Sequence, residues 1–348
     1  MRKPLSELAW NVTEEEYRAD SALSYSTLAK YEREGFNNLD KLFDRVDSPS
    51  LVFGSAVDSI ITGGQKEFDD RFIVAEFPEI PDSIISIIKS LYDKYSDKYI
   101  TLDSIPDNDI IELTETNKYQ LNWKPETRAR VIKEKGGEYY SLLHLSTDKT
   151  LLDTRTYNDV RATVNALIHG NSTKFYFAPN NPFEPDIERF YQLKFKHTIN
   201  NVPYRIMADL IIVNHKEKWV MPVDLKTSSK YEWDFFKSFV DWRYDIQARL
   251  YWRNIRANMD KDSYYKKFTL VDYRFIVANR KSLLPLVWVF PDTQKEGTLY
   301  YGKNKQIVLR DPIEIGEELN YYLSFRPSVP KGIEICREND IAQLLNKI

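Results

Sequence analysis

The sequence predicts a mixed α/β fold in which helices flank a central sheet. Three segments with alternating apolar residues, at 187–197, 204–213 and 218–226, predict consecutive strands joined by short turns. Segments with a helical apolar period precede and follow them, so helices can cover the sheet. Of the 348 residues, 42% are hydrophobic and 29% are charged, which is typical of a globular protein with a large core.

Two helices are predicted near the N-terminus. The segment SYSTLAKYEREG begins with Ser24 as a helix cap and ends at Gly35. The segment SLVFGSAVDSIIT (50–62) predicts a second helix, capped by Ser50 and closed by Gly63-Gly64. It is apolar on nearly all sides, so we expect it to be buried.

Further helices and strands surround the three strands. We predict a single elaborated domain over 1–348, with its core at 24–64 and 187–290, a polar helical insertion at about 80–175 and C-terminal helices at about 311–348. Within this plan, the remaining predicted elements are a long helix that begins at Ser228 or Ser229 and runs to about 258, strands at 268–278 and 284–290, a helix near 312–324 and a terminal helix.

Two aspartates stand inside strands that are otherwise apolar. Asp209 lies in YRIMADLIIV, and Asp224 lies in VMPVDLKTSS on the next strand. An unpaired buried charge is costly, and two neighbouring carboxylates repel each other unless a cation lies between them. Because a tight turn joins the strands, we expect the two acids to approach each other and to bind a divalent ion.

Lys226 follows Asp224 by two residues, so both side chains point to the same face of a strand. A lysine there can orient the attacking water, take its proton or stabilise charge on a phosphate. Asp224-Leu225-Lys226 is the one acid-x-lysine tripeptide in the chain. A salt bridge at a strand end is the structural alternative, and the apolar surroundings and Asp209 favour the catalytic interpretation.

Two helical pairs complete an ordered set of motifs. Gln247 and Tyr251 lie one turn apart in YDIQARLYW, and Gly54 and Asp58 lie one turn apart in GSAVDSII. The order is SYS, Gly54-x-x-x-Asp58, Asp209, Asp224-x-Lys226, Gln247-x-x-x-Tyr251. It resembles the PD-(D/E)XK nuclease superfamily, in particular the branch with the RecB nuclease domain and RecE-type phage exonucleases.

The resemblance implies a restriction-endonuclease-like fold and a role for each matched position. Asp209 and Asp224 would bind one or two Mg²⁺ or Mn²⁺ ions together with the Leu225 carbonyl, and Lys226 would be the catalytic lysine. Gln247 and Tyr251 would line the site and touch DNA. Glu188 resembles an acidic position that relatives often carry on the first strand.

Asp58 departs from the family pattern, because many relatives carry histidine there. Aspartate could complete the ligand shell, although the substitution could also mark a weakened enzyme. A local backbone hydrogen bond is the structural alternative, and the apolar character of the helix favours the role as a ligand. Four scattered histidines and the single Cys336 make a zinc or iron–sulfur site an unsuitable alternative.

Other residues are candidates for DNA contact. Ser24 and Ser26 could bind phosphate through their hydroxyls, although helix capping explains Ser24 equally well. Arg249 and Arg253 flank the face of Gln247 and Tyr251. Solvated arginines and core aromatics are the structural alternative for this helix.

The leading hypothesis is a metal-dependent DNA nuclease, most similar to an exonuclease of a phage or mobile-element recombination or repair system. The alternatives are a non-hydrolytic DNA-binding or assembly protein on the same fold and a structure-specific endonuclease. From the resemblance we expect a single-strand annealing protein as a partner and homo-oligomers. The single cysteine and the lack of a long apolar run favour the cytoplasm of a bacterium or an infected host cell, with no membrane partner.

Overall fold

A computed structural model describes residues 2–44, 48–98, 100–146, 148–228, 230–291, 297–301 and 305–325. Its helices are α1 (Glu14–Ala19), α2 (Tyr25–Glu34), α3 (Pro49–Arg71), α4 (Asp82–Tyr95), α5 (Asp107–Thr116), α6 (Pro125–Ser146), α7 (Thr154–His169), α8 (Lys174–Phe177), α9 (Phe235–Asp241), α10 (Tyr244–Asp260) and α11 (Pro312–Phe325). Short 3₁₀ helices occupy Leu5–Leu8, Phe36–Lys41, Ser96–Lys98, Leu102–Ser104, Glu232–Asp234 and Tyr265–Lys267.

The strands are β1 (Phe72–Ala75), β2 (Thr150–Asp153), β3 (Ile187–Ile199), β4 (Val202–Asn214), β5 (Trp219–Ser228), β6 (Thr269–Leu270), β7 (Tyr273–Asn279), β8 (Leu286–Phe290), β9 (Gly297–Tyr301) and β10 (Lys305–Leu309).

The chain divides into two compact units, one of Met1–Leu51 with Asn165–Ile348 and one of Val52–Val164. The predicted single domain stays a prediction.

The first unit contains a mixed sheet with the strand order β3-β4-β5-β7-β8, and β6 pairs with β5. β3, β4 and β5 form an antiparallel meander, whereas β5 and β7 run parallel. Asn200 and Asn201 both have positive φ in the two-residue turn between β3 and β4, a conformation that asparagine tolerates well. The mixed α/β class and the three-strand meander are therefore confirmed.

Helix α10 packs its apolar side against this sheet. Ile246, Leu250 and Ile255 are fully buried in the same core as Ile206 and Phe275. The spacing of these apolar residues, four and five positions along the helix, places them on the side that faces the sheet.

The second unit is built around α4, α5 and α6. Ile84, Ile88, Ile110 and Ile132 form its apolar core. Gly136 on α6 lies so close to Ile88 that a methyl group would collide with it. The predicted insertion at about 80–175 falls mostly within this unit.

The structure also corrects the sequence interpretation. The long helix after β5 is wrong, since α9 ends at Asp241 and α10 begins at Tyr244, after Arg243 in the left-handed conformation. The second helix starts at Pro49 rather than at Ser50 and bends at Gly64, which has a φ of 73°. Ser229 and the predicted terminal helix lie outside the described residues.

Candidate active site

Asp209 and Asp224 lie where β4 and β5 separate. The paired part of the two strands ends at Leu210 and Val223, and the two acids are the next positions outward. The Leu225 N–H donates a hydrogen bond to Asp209 Oδ2 at 2.9 Å. The structure therefore places both carboxylates side by side, with Asp224 only 1% exposed.

The edge of β4 that β5 leaves free is occupied by the N-terminal segment. The Leu23 N–H donates to the Pro203 carbonyl, and the Arg205 N–H donates to the Leu23 carbonyl, each at 2.9 Å. Helix α2 starts two residues later, so this pairing brings Ser24, Tyr25 and Ser26 to the same end of the sheet. Ser24 caps α2 by accepting from the Thr27 N–H.

Lys226 forms an ion pair with Asp224, and their Nζ and Oδ2 atoms are 2.7 Å apart. Burial alone would lower the pKa of Lys226, but the charges of Asp224, Tyr244 and Asp209 outweigh it and raise the pKa above its ordinary value. The side chain is therefore an ammonium group that is paired with Asp224, and the charge of Asp209 stabilises it further. Its Nζ also lies 4.7 Å from the centre of the Tyr244 ring.

Gln247 on α10 reaches the same carboxylate from the opposite side. Its Nε2 donates a hydrogen bond to Asp224 Oδ1. The side chain is 4% exposed, and no described group hydrogen-bonds to its Oε1. A buried acceptor without a donor costs free energy of about 1–3 kcal/mol unless a cation or water contacts it.

Tyrosines enclose the acids. Tyr251 is buried beside Tyr273, with ring centres 6.1 Å apart. Burial raises the pKa of Tyr251, and Tyr17, Asp224, Asp209 and Tyr25 raise it further, which places its hydroxyl within electrostatic reach of both acids. The rings lower the local dielectric constant, so charges at the site interact more strongly than in water.

Tyr244 is a site residue that the sequence interpretation missed. Its ring covers Lys226 and lies 6.3 Å from the ring of Tyr25. A signal was present, because Tyr244 precedes Gln247 by three residues, which places both on one side of a helix.

Arg249 and Arg253 have partners within the chain. Arg249 is 1% exposed, and its Nη1 lies 3.6 Å from Asp245 Oδ2. Arg253 binds both carboxylate oxygens of Asp311 at 2.5 Å. The expected contacts of Arg249 and Arg253 with DNA stay predictions.

Asp58 belongs to the other unit, on α3, where it accepts a hydrogen bond from Thr62 at 3.5 Å. Its expected role as a ligand stays a prediction. Glu188, at the start of β3, accepts a hydrogen bond from Arg2 and lies 3.0 Å from His215 Nε2.

The donor atoms of the site suit a hard cation. Among the described residues, no group of three His, Cys, Asp or Glu side chains is arranged to hold a metal ion. Mg²⁺ does not require such a group, because it binds through one or two carboxylates and completes its shell with water and substrate phosphate. Asp209, Asp224 and the unpartnered Oε1 of Gln247 are oxygen donors of the required type.

Comparisons with known proteins add little to this geometry. No protein-family model matches the sequence, and no curated protein matches it. A crystal structure from Eubacterium rectale, described as a putative exonuclease, is similar over 90% of this chain and 85% of that chain, with a TM-score of 0.41 and 12% identity. We base neither the fold nor the function on so distant a likeness.

None of the helices in the described ranges combines the length and the apolar character that a membrane crossing requires.

Proposed function

We propose that this chain is a nuclease that hydrolyses phosphodiester bonds of DNA with the help of Mg²⁺ or Mn²⁺. One observation carries the proposal: Asp209 and Asp224 lie side by side, with Lys226 2.7 Å from Asp224, at the point where two buried strands separate. A structural salt bridge accounts for Lys226 and Asp224, and Asp209 brings a second carboxylate to the same place, where its Oδ2 accepts a hydrogen bond from the Leu225 N–H.

Each side chain has a defined task. Asp209 and Asp224 would hold the ion, with the Leu225 carbonyl and Gln247 Oε1 as further oxygen donors. When bound, the ion supplies Lewis-acid polarisation of the phosphoryl oxygen and a lower pKa for water. Gln247 fixes the orientation of Asp224, and Lys226 can donate a hydrogen bond to a phosphate oxygen as negative charge develops.

The finer assignment is an exonuclease of a phage or mobile-element recombination or repair system. It is supported by the order of five sequence motifs, from SYS near Ser24 to Tyr251. A single-strand annealing partner and a homo-oligomeric assembly belong to the same proposal. Dependence on a free DNA end is the property that distinguishes it from an endonuclease on the same fold.

Digestion of end-labelled linear duplex DNA tests the proposal, with Mg²⁺, with Mn²⁺ and with EDTA. We expect cleavage with either metal and none with EDTA, and a loss of about 10³-fold in Asp224→Asn and Lys226→Ala. Asp260→Asn is the matched control, since Asp260 is an exposed partner of Arg256 on α10. It should cleave as the wild type does.

The substrate form then separates the alternatives. Cleavage of linear but not circular duplex supports the exonuclease, and the label released first gives the polarity. Cleavage of circles indicates an endonuclease instead. If wild type leaves linear, circular and single-stranded DNA intact with both metals, the hydrolytic proposal is wrong for this chain, and retained DNA binding would indicate a non-hydrolytic protein.

A further inference from the structure

Three large aromatic side chains are exposed in the segment 230–243, which connects β5 to α10. Tyr231, Trp233 and Trp242 are 48%, 66% and 51% exposed, and we call them the aromatic rim. The rings of Tyr231 and Trp233 stack at 4.4 Å with an angle of 8°. Large aromatics left in water near one another are typical of a binding surface.

An ion pair joins the two ends of the segment 230–243. Lys230 Nζ lies 3.3 Å from Asp241 Oδ2, so the two ends of the segment approach each other. Asn279 at the end of β7 donates to the backbone carbonyls of Ser228 and Lys230. These contacts anchor the start of the segment, next to Tyr231, to β7, the neighbour of the strand that carries Lys226.

The backbone turns Trp242 outward. Arg243 has a φ of 54° and a ψ of 47°, a left-handed conformation that a residue other than glycine adopts at a cost. Ion pairs to Glu32 at 3.1 Å and to Asp245 at 3.0 Å hold Arg243 in place. Strained backbone that the surrounding structure enforces is often found at functional sites.

Trp242 is also connected directly to the candidate active site. The Tyr25 hydroxyl donates a hydrogen bond to the Trp242 carbonyl at 2.8 Å. Two residues later, the Tyr244 ring faces Lys226 Nζ at 4.7 Å. A ligand on the Trp242 ring is therefore next to the residues that surround Asp224.

Arg33 supplies positive charge at this position. Its Cζ lies 5.0 Å from the centre of the Trp242 ring. No carboxylate among the described residues forms an ion pair with it. A guanidinium group on the face of a ring keeps its N–H edge available, and that edge fits a phosphate.

We propose that the aromatic rim and Arg33 bind an unpaired strand of nucleic acid, with bases stacking on the rings and a phosphate on Arg33. Stacking faces beside a free cation are the combination by which proteins hold single strands without reading their sequence. This inference rests on the proposed function, to which it adds a substrate class: DNA with an unpaired strand at the site. A protein partner on the same surface is the competing occupant.

Binding of a fluorescent oligothymidylate in EDTA tests the rim without hydrolysis. We expect Trp233→Ala and Trp242→Ala to raise Kd by about 10-fold each, and Trp242→Phe to restore most of the affinity. Arg33→Gln should make the slope of log K against log salt shallower by about 0.7, because it removes one phosphate contact. Binding should also quench the tryptophan fluorescence of the wild type and quench it less in the two alanine variants.

The matched control is Trp123→Ala, which removes a 38% exposed tryptophan of the other unit and should bind like the wild type. Unchanged Kd in both rim alanine variants overturns the proposal and leaves the surface to a protein partner. A wild type that does not bind the oligonucleotide overturns it as well. Cleavage assays with Asp224→Asn judge the hydrolytic function separately, because the binding assay contains no free metal.

Discussion

Two buried polar clusters of the first unit show how a structural network differs from a reactive site. The arginine network joins three guanidinium groups to three carboxylates, in the set Glu32, Arg243, Asp245, Arg249, Arg310 and Glu318. The candidate active site joins Asp209 and Asp224 to the ammonium of Lys226. Both clusters contact the N-terminal half of α10, so they share the same scaffold.

The difference lies in the balance of charges within each cluster. In the network, Asp245 is fully buried, and its two oxygens face Arg243 and Arg249. Each cluster contains a buried polar atom that no described group hydrogen-bonds, Arg249 Nη1 in the network and Gln247 Oε1 in the site, but the site joins two carboxylates to one lysine. A buried cluster that balances its own charge holds a structure together, whereas one with surplus oxygen donors is suited to bind a cation.

The same substitution should therefore have opposite effects on stability in the two clusters. Asp245→Asn removes the buried acid that Arg243 and Arg249 share, and we expect it to lower the free energy of unfolding by about 3 kcal/mol. Asp224→Asn removes one of two adjacent negative charges, and Lys226 keeps Asp209 nearby. We expect it to leave the free energy of unfolding unchanged or higher, as measured by urea denaturation.

Glu32→Gln provides a second test of the network if Asp245→Asn does not fold. It removes the acid that Arg243 and Arg310 share, so it should also destabilise the protein. Equal losses in Asp224→Asn and Asp245→Asn would contradict the comparison, because both clusters would then be structural.

Metal ions should stabilise the site and not the network. At a Mg²⁺ or Mn²⁺ concentration of 100 times Kd, we expect the free energy of unfolding of the wild type to rise by about 2.7 kcal/mol. Asp224→Asn should lose this gain, since it removes a ligand oxygen that carries charge. Thermal unfolding over a metal titration measures both.

Asp260→Asn is again the control and should keep the full gain. The same gain in Asp224→Asn would place the metal elsewhere in the chain. If the melting temperature of the wild type does not change at any metal concentration, the candidate active site binds no metal ion and does not differ from the arginine network in this respect.

The sequence predicted those parts of the site that depend on local pattern. Alternation of apolar residues located β4 and β5, and the interruption by Asp209 and Asp224 identified the acids. The distance of two residues placed Lys226 beside Asp224, and the structure has this contact. These features require only the geometry of a strand and of a tight turn.

The parts that it could not predict depend on contacts between distant segments. The break between α9 and α10 carries no glycine or proline, and Arg243 at this break forms an ion pair with Glu32, more than 200 residues earlier in the chain. The expected roles of Arg249 and Arg253 in DNA binding were drawn from helical spacing alone. Spacing does not show that Asp245 and Asp311 lie opposite them.

The arginines therefore give a third, smaller test of which cations are structural. Arg253→Gln removes two hydrogen bonds to Asp311, so we expect the free energy of unfolding to fall by about 1.5–3 kcal/mol. The slope of log K against log salt for DNA binding should not change. A shallower slope in Arg253→Gln, comparable with that of Arg33→Gln, would show that Arg253 leaves Asp311 and contacts phosphate.

The smallest expected effect belongs to a half-exposed ion pair outside both clusters. Lys196 Nζ lies 2.6 Å from Asp20 Oδ2. Burial raises the pKa of Asp20, but the hydrogen bonds from Lys196 and from the Ala22 N–H outweigh burial and lower it below 3.8. Since the folded pKa is below the unfolded one, the pair stabilises the protein above pH 3.8 and loses this effect as the pH falls through the folded pKa.

Lys196→Met should therefore lower the free energy of unfolding by about 0.5 kcal/mol at neutral pH, the usual contribution of an exposed pair. The difference between variant and wild type should disappear at acid pH, where Asp20 is protonated in both. Urea denaturation at a series of pH values measures it. If the free energies of unfolding of Lys196→Met and the wild type differ by several kcal/mol, this exposed pair contributes as much as the buried arginine network. Burial would then be the wrong basis for ranking the charged clusters of this chain.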